Sequence, residues 1–249
     1  MNDTMVAALL AAVLAGLGGL LVPRLIAAVP EPPATPAPEA DADTGGTATV
    51  EPPKMLYADI AARPGLGRRS AVVAAACGGL LGAATGLDWP LLWLVPLTPV
   101  AVALSVIDWH TRLLPRRIVV PATLAAIVVV TVVGLATGER EALVRALAGM
   151  LAARSFFWVL WWLRSAGMGF GDVRLAAPVG LVLGWVGWGA LAVGLWVGFI
   201  AFALPALGLA VVRRDRALLK QSFPFGPFMA IGALVGLVWG TALAARIWG

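Results

Sequence analysis

The chain has 249 residues, 61% of them hydrophobic and only 12% charged, with a mean hydropathy of +0.93. A soluble domain carries about a quarter charged residues, so this composition excludes an ordinary soluble globular protein and indicates a membrane one. The net charge of +5 would point to nucleic acid in a soluble chain; here it reflects Lys and Arg kept on cytoplasmic loops, and no nucleic-acid partner is expected.

In chain order, Met5 to Val29 is apolar except for Arg24, long enough to cross a hydrocarbon core of ~30 Å. Met1-Asn2-Asp3-Thr4 carries an acid and no base, unlike the basic start of a signal peptide. Residues 1–29 are therefore expected to be a retained first transmembrane helix with its N-terminus outside. Residues 30–54 are rich in Pro, Ala, Glu, Asp and Thr, a composition that cannot bury enough apolar surface to offset its ordering entropy, and predict a disordered acidic tether. Lys54 to Arg69 holds four cations (Lys54, Arg63, Arg68 and Arg69) and reads as an amphipathic, juxtamembrane piece.

Residues 55–249 form the membrane domain. Ala71–Leu87 and Leu91–Ile107 are two spans broken at Asp88-Trp89-Pro90, where proline disfavours helix before it and suits the first turn after it. A charged loop, Asp108 to Arg117, precedes a span over Ile118–Thr137. Glu139-Arg140-Glu141 turns the chain into Ala142–Leu163. Val173–Val212 is long enough for two spans, turning around Trp185 to Trp188, and Phe225–Ile247 is the last. The expected fold is all-α: a polytopic helical bundle of about eight transmembrane helices in the lipid bilayer, with N- and C-termini outside.

Charge supports that orientation. The loops assigned to the cytoplasm hold Arg24, Lys54, Arg63, Arg68 and Arg69; Arg112, Arg116 and Arg117; Arg164 and Arg174; and Arg213, Arg214, Arg216 and Lys220. The opposite side holds only Arg140, Arg145 and Arg246. Cytoplasmic loops retain basic residues in this way. Arg154 falls inside the fifth span, where it reads as structural: reaching an interior carboxylate, lining a cavity or snorkelling. Trp158, Trp161 and Trp162 read as packing or interface anchors.

Asp108 and Asp172 then emerge on the same cytoplasmic side from distant parts of the sequence. One begins Asp108-Trp109-His110-Thr111-Arg112-Leu113-Leu114-Pro115; the other lies in Gly167-Met168-Gly169-Phe170-Gly171-Asp172-Val173-Arg174-Leu175. Two adjacent carboxyls hold one proton between them, so one can deprotonate water while the other donates to a peptide carbonyl. The glycines before Asp172 are expected to admit a substrate backbone and unusual φ values. A structural alternative stays open at this stage, with Asp172 a helix N-cap and Asp108 an interfacial charge balanced by Arg112. The one cysteine, Cys77, and the one histidine, His110, support neither a disulfide nor a metal site, and no cofactor is expected.

Gly169-Phe170-Gly171-Asp172-Val173-Arg174-Leu175 resembles the signature of the prepilin peptidases, the type IV leader peptidases, which are membrane aspartic proteases. Asp108 and Pro115 fit the Asp-x(6)-Pro pattern of that family, with Pro121 following, and Phe223 to Ala230 is similar to its Pro-Phe-Gly-Pro-Phe stretch. The resemblance covers roughly Leu66 to the C-terminus. It implies a membrane peptidase domain over 55–249, with Asp108 and Asp172 as the catalytic pair. It also places Pro115, Gly169, Gly171, Arg174, Gly226 and Pro227 on the substrate-binding side. The implied reaction removes a short basic leader from type IV prepilins or pseudopilins at the cytoplasmic face of the cell membrane.

Three features depart from the family pattern. Arg174 stands where the family usually has Lys, and Arg116 where it often has Asn or Asp. The paired Cys-x-x-Cys zinc motifs of larger members have no counterpart in a chain with one cysteine. N-methylation of the new terminus is therefore not expected. Two other functions fit the bare sequence, a proton- or cation-coupled transporter and a non-catalytic scaffold for pilus assembly. The first would place its acids near mid-membrane rather than at span ends.

Overall fold

The structure, a computed structural model, describes residues 2–31, 55–163, 168–213 and 224–248. Residues 32–54 of the expected tether lie outside these, as do Arg164, Gly167, Arg214, Arg216, Lys220 and Phe223. Ten helices and no strand occur among the described residues: α1 (Asp3–Leu20), α2 (Val22–Ala27), α3 (Tyr57–Ala61), α4 (Leu66–Thr85), α5 (Leu91–Thr111), α6 (Arg116–Ala136), α7 (Arg140–Leu163), α8 (Phe170–Val186), α9 (Trp188–Arg213) and α10 (Gly226–Trp248). Helices α1, α5, α6, α7 and α10 are long and apolar enough to cross a membrane. The chain is a multi-pass membrane protein.

Several boundaries differ from those expected, each for a local reason. The first apolar segment breaks at Leu21, because Pro23 sits in the first turn of α2 and starts a new helix. Helix α5 runs on through Asp108 to Thr111, so Asp108 lies inside its last turn and not in a loop. The stop comes from Arg112, whose φ of 55° is left-handed and whose N–H bonds the Asp108 carbonyl at 2.8 Å. Helix α8 begins at Phe170 with Gly169 as its N-cap, so Asp172 occupies the first turn and is not the cap.

Helix α8 is the axis of the bundle: from Asp172 to Gly184 nearly every residue is buried. Small residues bring its neighbours close. A Cβ on Gly149 of α7 would come within 2.8 Å of the Gly180 carbonyl and 3.0 Å of the Gly184 Cα. In lipid, where apolar burial drives little helix association, such close backbone packing supplies the contact. Gly78 and Gly82 of α4 play the same part against Ala7, Ala11 and Ala15 of α1, and Gly236 of α10 against Gly194 of α9.

Two arginines of α7 end up in different surroundings. The Arg145 guanidinium donates to the carbonyls of Gly184 (2.9 Å) and Trp185 (2.7 Å). It thereby satisfies the open C-terminus of α8 from a neighbouring helix. Arg154 is exposed on the outer face of α7, alongside Leu151 and Trp158. It lines neither cavity described below, leaving snorkelling as its means of solvation.

The close packing of α7 on α8 yields a stability prediction. A Cβ at Gly180 would come within 2.7 Å of the Ala153 Cβ and closer still to the Gly149 carbonyl. Gly180→Ala should lower stability by about 1–3 kcal/mol, read as a lower Tm of the detergent-solubilised protein. Gly79→Ala, whose nearest contacts are an ordinary 3.4 and 3.7 Å, should not lower Tm. Equal melting of Gly180→Ala and wild type would contradict this packing.

Candidate active site

The site assembles where the last turn of α5, the first turn of α8 and the first turn of α10 converge. Asp108 is 3% exposed and Asp172 7%, values at which a carboxyl needs protein partners. Asp108 finds one in α10: the Gly226 N–H donates to its Oδ2 at 2.8 Å. That N–H is among the unpaired donors of a helix N-terminus, whose positive end faces the carboxylate. Asp172 sits in the first turn of α8, under the same kind of field. Asp108 lies within electrostatic reach of Asp172. No arginine or lysine nitrogen comes within 4.0 Å of either carboxylate among the described residues, so Arg112 does not balance Asp108 as a salt bridge.

The sequence explains why α10 starts where it does. Phe225 is wedged into an aromatic group, with ring centroids 5.2 Å from both Phe199 and Phe202 and 5.7 Å from Phe157. Phe157 and Phe199 themselves stack at 5.5 Å. Pro227, lacking an N–H, suits the first turn where no helical acceptor exists. The wedge and the proline together fix the Gly226 N–H toward Asp108. Glycine is required at 226 by space: a Cβ there would lie 2.9 Å from Asp108 Oδ2 and 3.3 Å from its Cβ.

Both aspartates line one cavity of about 360 Å³. Leu113, Leu114 and Pro115 form one wall, Met168 to Asp172 with Arg174 a second, and Phe199, Phe202, Pro224 and Phe225 a third. Of the residues placed on the substrate side by sequence, Pro115, Gly169, Gly171 and Arg174 line this cavity. Gly226 and Pro227 instead line a larger apolar cavity of about 530 Å³ beside α4, α5 and α10. No carboxylate lines that larger space, so the two aspartates share the smaller one alone.

The unusual φ values expected of these glycines are not found. Gly169 has an extended φ of −72°, and neither it nor Gly171 has a positive φ. A Cβ on Gly171 would lie 2.8 Å from the Leu114 Cβ, so its small size lets the start of α8 close against the loop after Asp108. Arg174 turns its guanidinium over the Phe170 ring at 4.9 Å, and Trp161 meets that ring edge-on at 5.1 Å. The reading from sequence missed Tyr57, which lines the same cavity from α3.

The family model described as "Type IV leader peptidase family" matches residues 95–240, a stretch that contains both aspartates. The chain is 31% identical over 189 residues to a "Prepilin leader peptidase/N-methyltransferase" of Stutzerimonas stutzeri, covering 74% of this chain and 63% of that one. It is 32% identical over 156 residues to a protein of the same description in Aeromonas hydrophila, covering 62% and 52%. One from Burkholderia pseudomallei (strain K96243) is 33% identical over 183 residues, covering 72% and 57%. The chain thus spans between 52% and 63% of the length of these relatives. No solved structure matches it.

The contact between Gly226 and Asp108 makes a testable pair. Gly226→Ala should cost about 1–3 kcal/mol of stability. In an Asp108→Ala background, where the carboxylate oxygen is gone, the same change should cost less. A double-mutant cycle in thermal unfolding measures that coupling. Additive effects would mean that the two residues do not meet.

Proposed function

This chain belongs to the type IV leader peptidase family, and from that premise we propose that it is a membrane aspartic endopeptidase cleaving the leader from type IV prepilins or pseudopilins. The observation that carries the reading is the meeting of Asp108 and Asp172, from separate helices, as buried carboxyls of a single cavity. The relatives' shared description as prepilin leader peptidases supports the substrate class.

In the proposed reaction the two carboxyls share one proton in a desolvated cavity. The ionised member takes a proton from water, which attacks the scissile carbonyl, and the protonated member donates to the carbonyl oxygen. A carboxyl then protonates the departing amine. The Gly226 N–H steadies Asp108 throughout, and Pro115, Gly169, Gly171 and Arg174 contact the peptide. The proposal covers peptide cleavage and not methyl transfer.

The proposed topology has eight transmembrane segments: α1 with α2, then α4 to α10. N- and C-termini lie outside, and the aspartates face the cytoplasm. The excess of Lys and Arg on the loops assigned to the cytoplasm supports it. The residues from 55 onward make the peptidase domain, and 30–54 a tether to the first segment. Acids that sit at helix ends rather than mid-membrane favour a peptidase over a transporter.

Co-expression with a candidate prepilin provides the test, with shortening followed by gel mobility and protein levels checked. Wild type should shorten the prepilin. Asp108→Asn and Asp172→Asn should each lower the rate by about 10²–10⁴-fold, the range of a lost acid or base. Shortening by both variants at the wild-type rate would overturn the catalytic assignment.

A further inference from the structure

One part of the cavity wall comes from outside the stretch that the family model matches. Tyr57, the chain's single tyrosine, is on the five-residue helix α3, upstream of residue 95. It is 4% exposed yet lines the cavity that holds Asp108, Leu113, Leu114 and Asp172. A rigid aromatic face orders what packs on it at little entropic cost.

A helix this short does not hold itself together, because nucleation is unfavourable and there is almost no propagation to offset it. Its position must be set from outside, and three contacts set it. Ile60, fully buried, packs among Val22 and Ile26 of α2 and Ala103 and Ile107 of α5. The Glu31 carboxylate accepts the Ala58 N–H at 3.0 Å. Arg63, just past α3, donates through Nη1 to Nε2 of His110 and meets Met55 Sδ at 3.2 Å.

The His110 contact also fixes a tautomer. A guanidinium only donates, so Nε2 accepts, and Nδ1–H donates to the Val106 carbonyl at 2.8 Å. His110 lies two residues beyond Asp108 on α5. The clasp therefore ties α3 to the helical turn that carries one of the two aspartates. Burial first, and then Glu31, push the Tyr57 hydroxyl above the ordinary phenol range. The ring is thus a neutral plate beside two carboxyls.

We propose that Tyr57 is a substrate-positioning residue: the small part of its side chain that reaches the cavity is a contact for the peptide beside the scissile bond, held in place by α3 and the Arg63–His110 and Glu31–Ala58 contacts. This rests on the reading of the cavity as a peptidase site. The recognised chemistry is an extended peptide touching the tyrosine where it reaches the cavity, and the hydroxyl takes no part in proton transfer.

The test compares Tyr57→Ala and Tyr57→Phe of the full chain in detergent, cleaving a prepilin whose initial rates give KM and kcat separately. Tyr57→Ala should raise KM by about tenfold with kcat within about twofold of wild type, and Tyr57→Phe should restore wild-type KM, the signature of lost binding rather than lost chemistry. An unchanged KM in Tyr57→Ala would overturn the proposal. So would a fall in kcat in both variants, which would make the hydroxyl part of the chemistry.

If Tyr57→Ala fails to accumulate, a photocrosslinking amino acid at position 57 in an Asp172→Asn background decides instead. It should crosslink to the bound prepilin as efficiently as the same probe at Leu113. A crosslink at 113 with none at 57 would overturn the proposal. Undiminished cleavage by Asp108→Asn and Asp172→Asn would instead remove the peptidase reading itself, whatever Tyr57 does.

Discussion

The hydrogen bond from the Gly226 N–H to Asp108 Oδ2 joins residues 118 apart in sequence, and the site depends on it. It sets the end of α5 against the start of α10, and the rest of the arrangement can be traced outward from that contact. Phe225 must be wedged among Phe157, Phe199 and Phe202 for the N–H to point correctly. Residue 226 must lack a Cβ. Asp108 must stay inside the helix until Arg112 turns it out of register. Each condition places a buried charge near a donor that would otherwise be unpaired, which turns two unfavourable groups into one favourable contact.

Asp172 is reached by a different route. It rides on α8, the most buried helix, which α7 approaches through Gly149 and Gly180 and whose far end Arg145 closes. Gly171 then lets the start of α8 meet Leu114. The two carboxyls thus belong to two packed assemblies, α5 with α10 and α7 with α8, that meet at a small cavity. Rigid close packing on both sides is what holds a pair of like groups together, since nothing in their own charge does.

Much of this was legible in the sequence, and the unread parts have physical reasons. The apolar segments and their breaks could be read because proline, glycine and clustered charge act locally, as at Pro90 and at Trp185 to Trp188. Span parity and charge put Asp108 and Asp172 on one side, and the resemblance of their motifs to the family's made them a pair. The continuation of α5 past Asp108 could not be read, because its stop is an arginine in a left-handed conformation, a residue with no such preference. Gly171 of the Asp172 motif looked like conformational freedom and is instead a matter of space against Leu114. Tyr57 was invisible as a site residue, since only tertiary contacts from Glu31, Ile60 and His110 bring α3 to the cavity.

The central claim is that Asp108 and Asp172 act as one unit. Single-turnover cleavage of a prepilin by purified wild type, each single Asp→Asn variant and the double variant tests it most directly. Groups that act together lose their function together. Each single change should then lower the rate by about as much as both combined, on the order of 10²–10⁴-fold. Losses that multiply in the double variant, or a single variant that cleaves at nearly the wild-type rate, would contradict it.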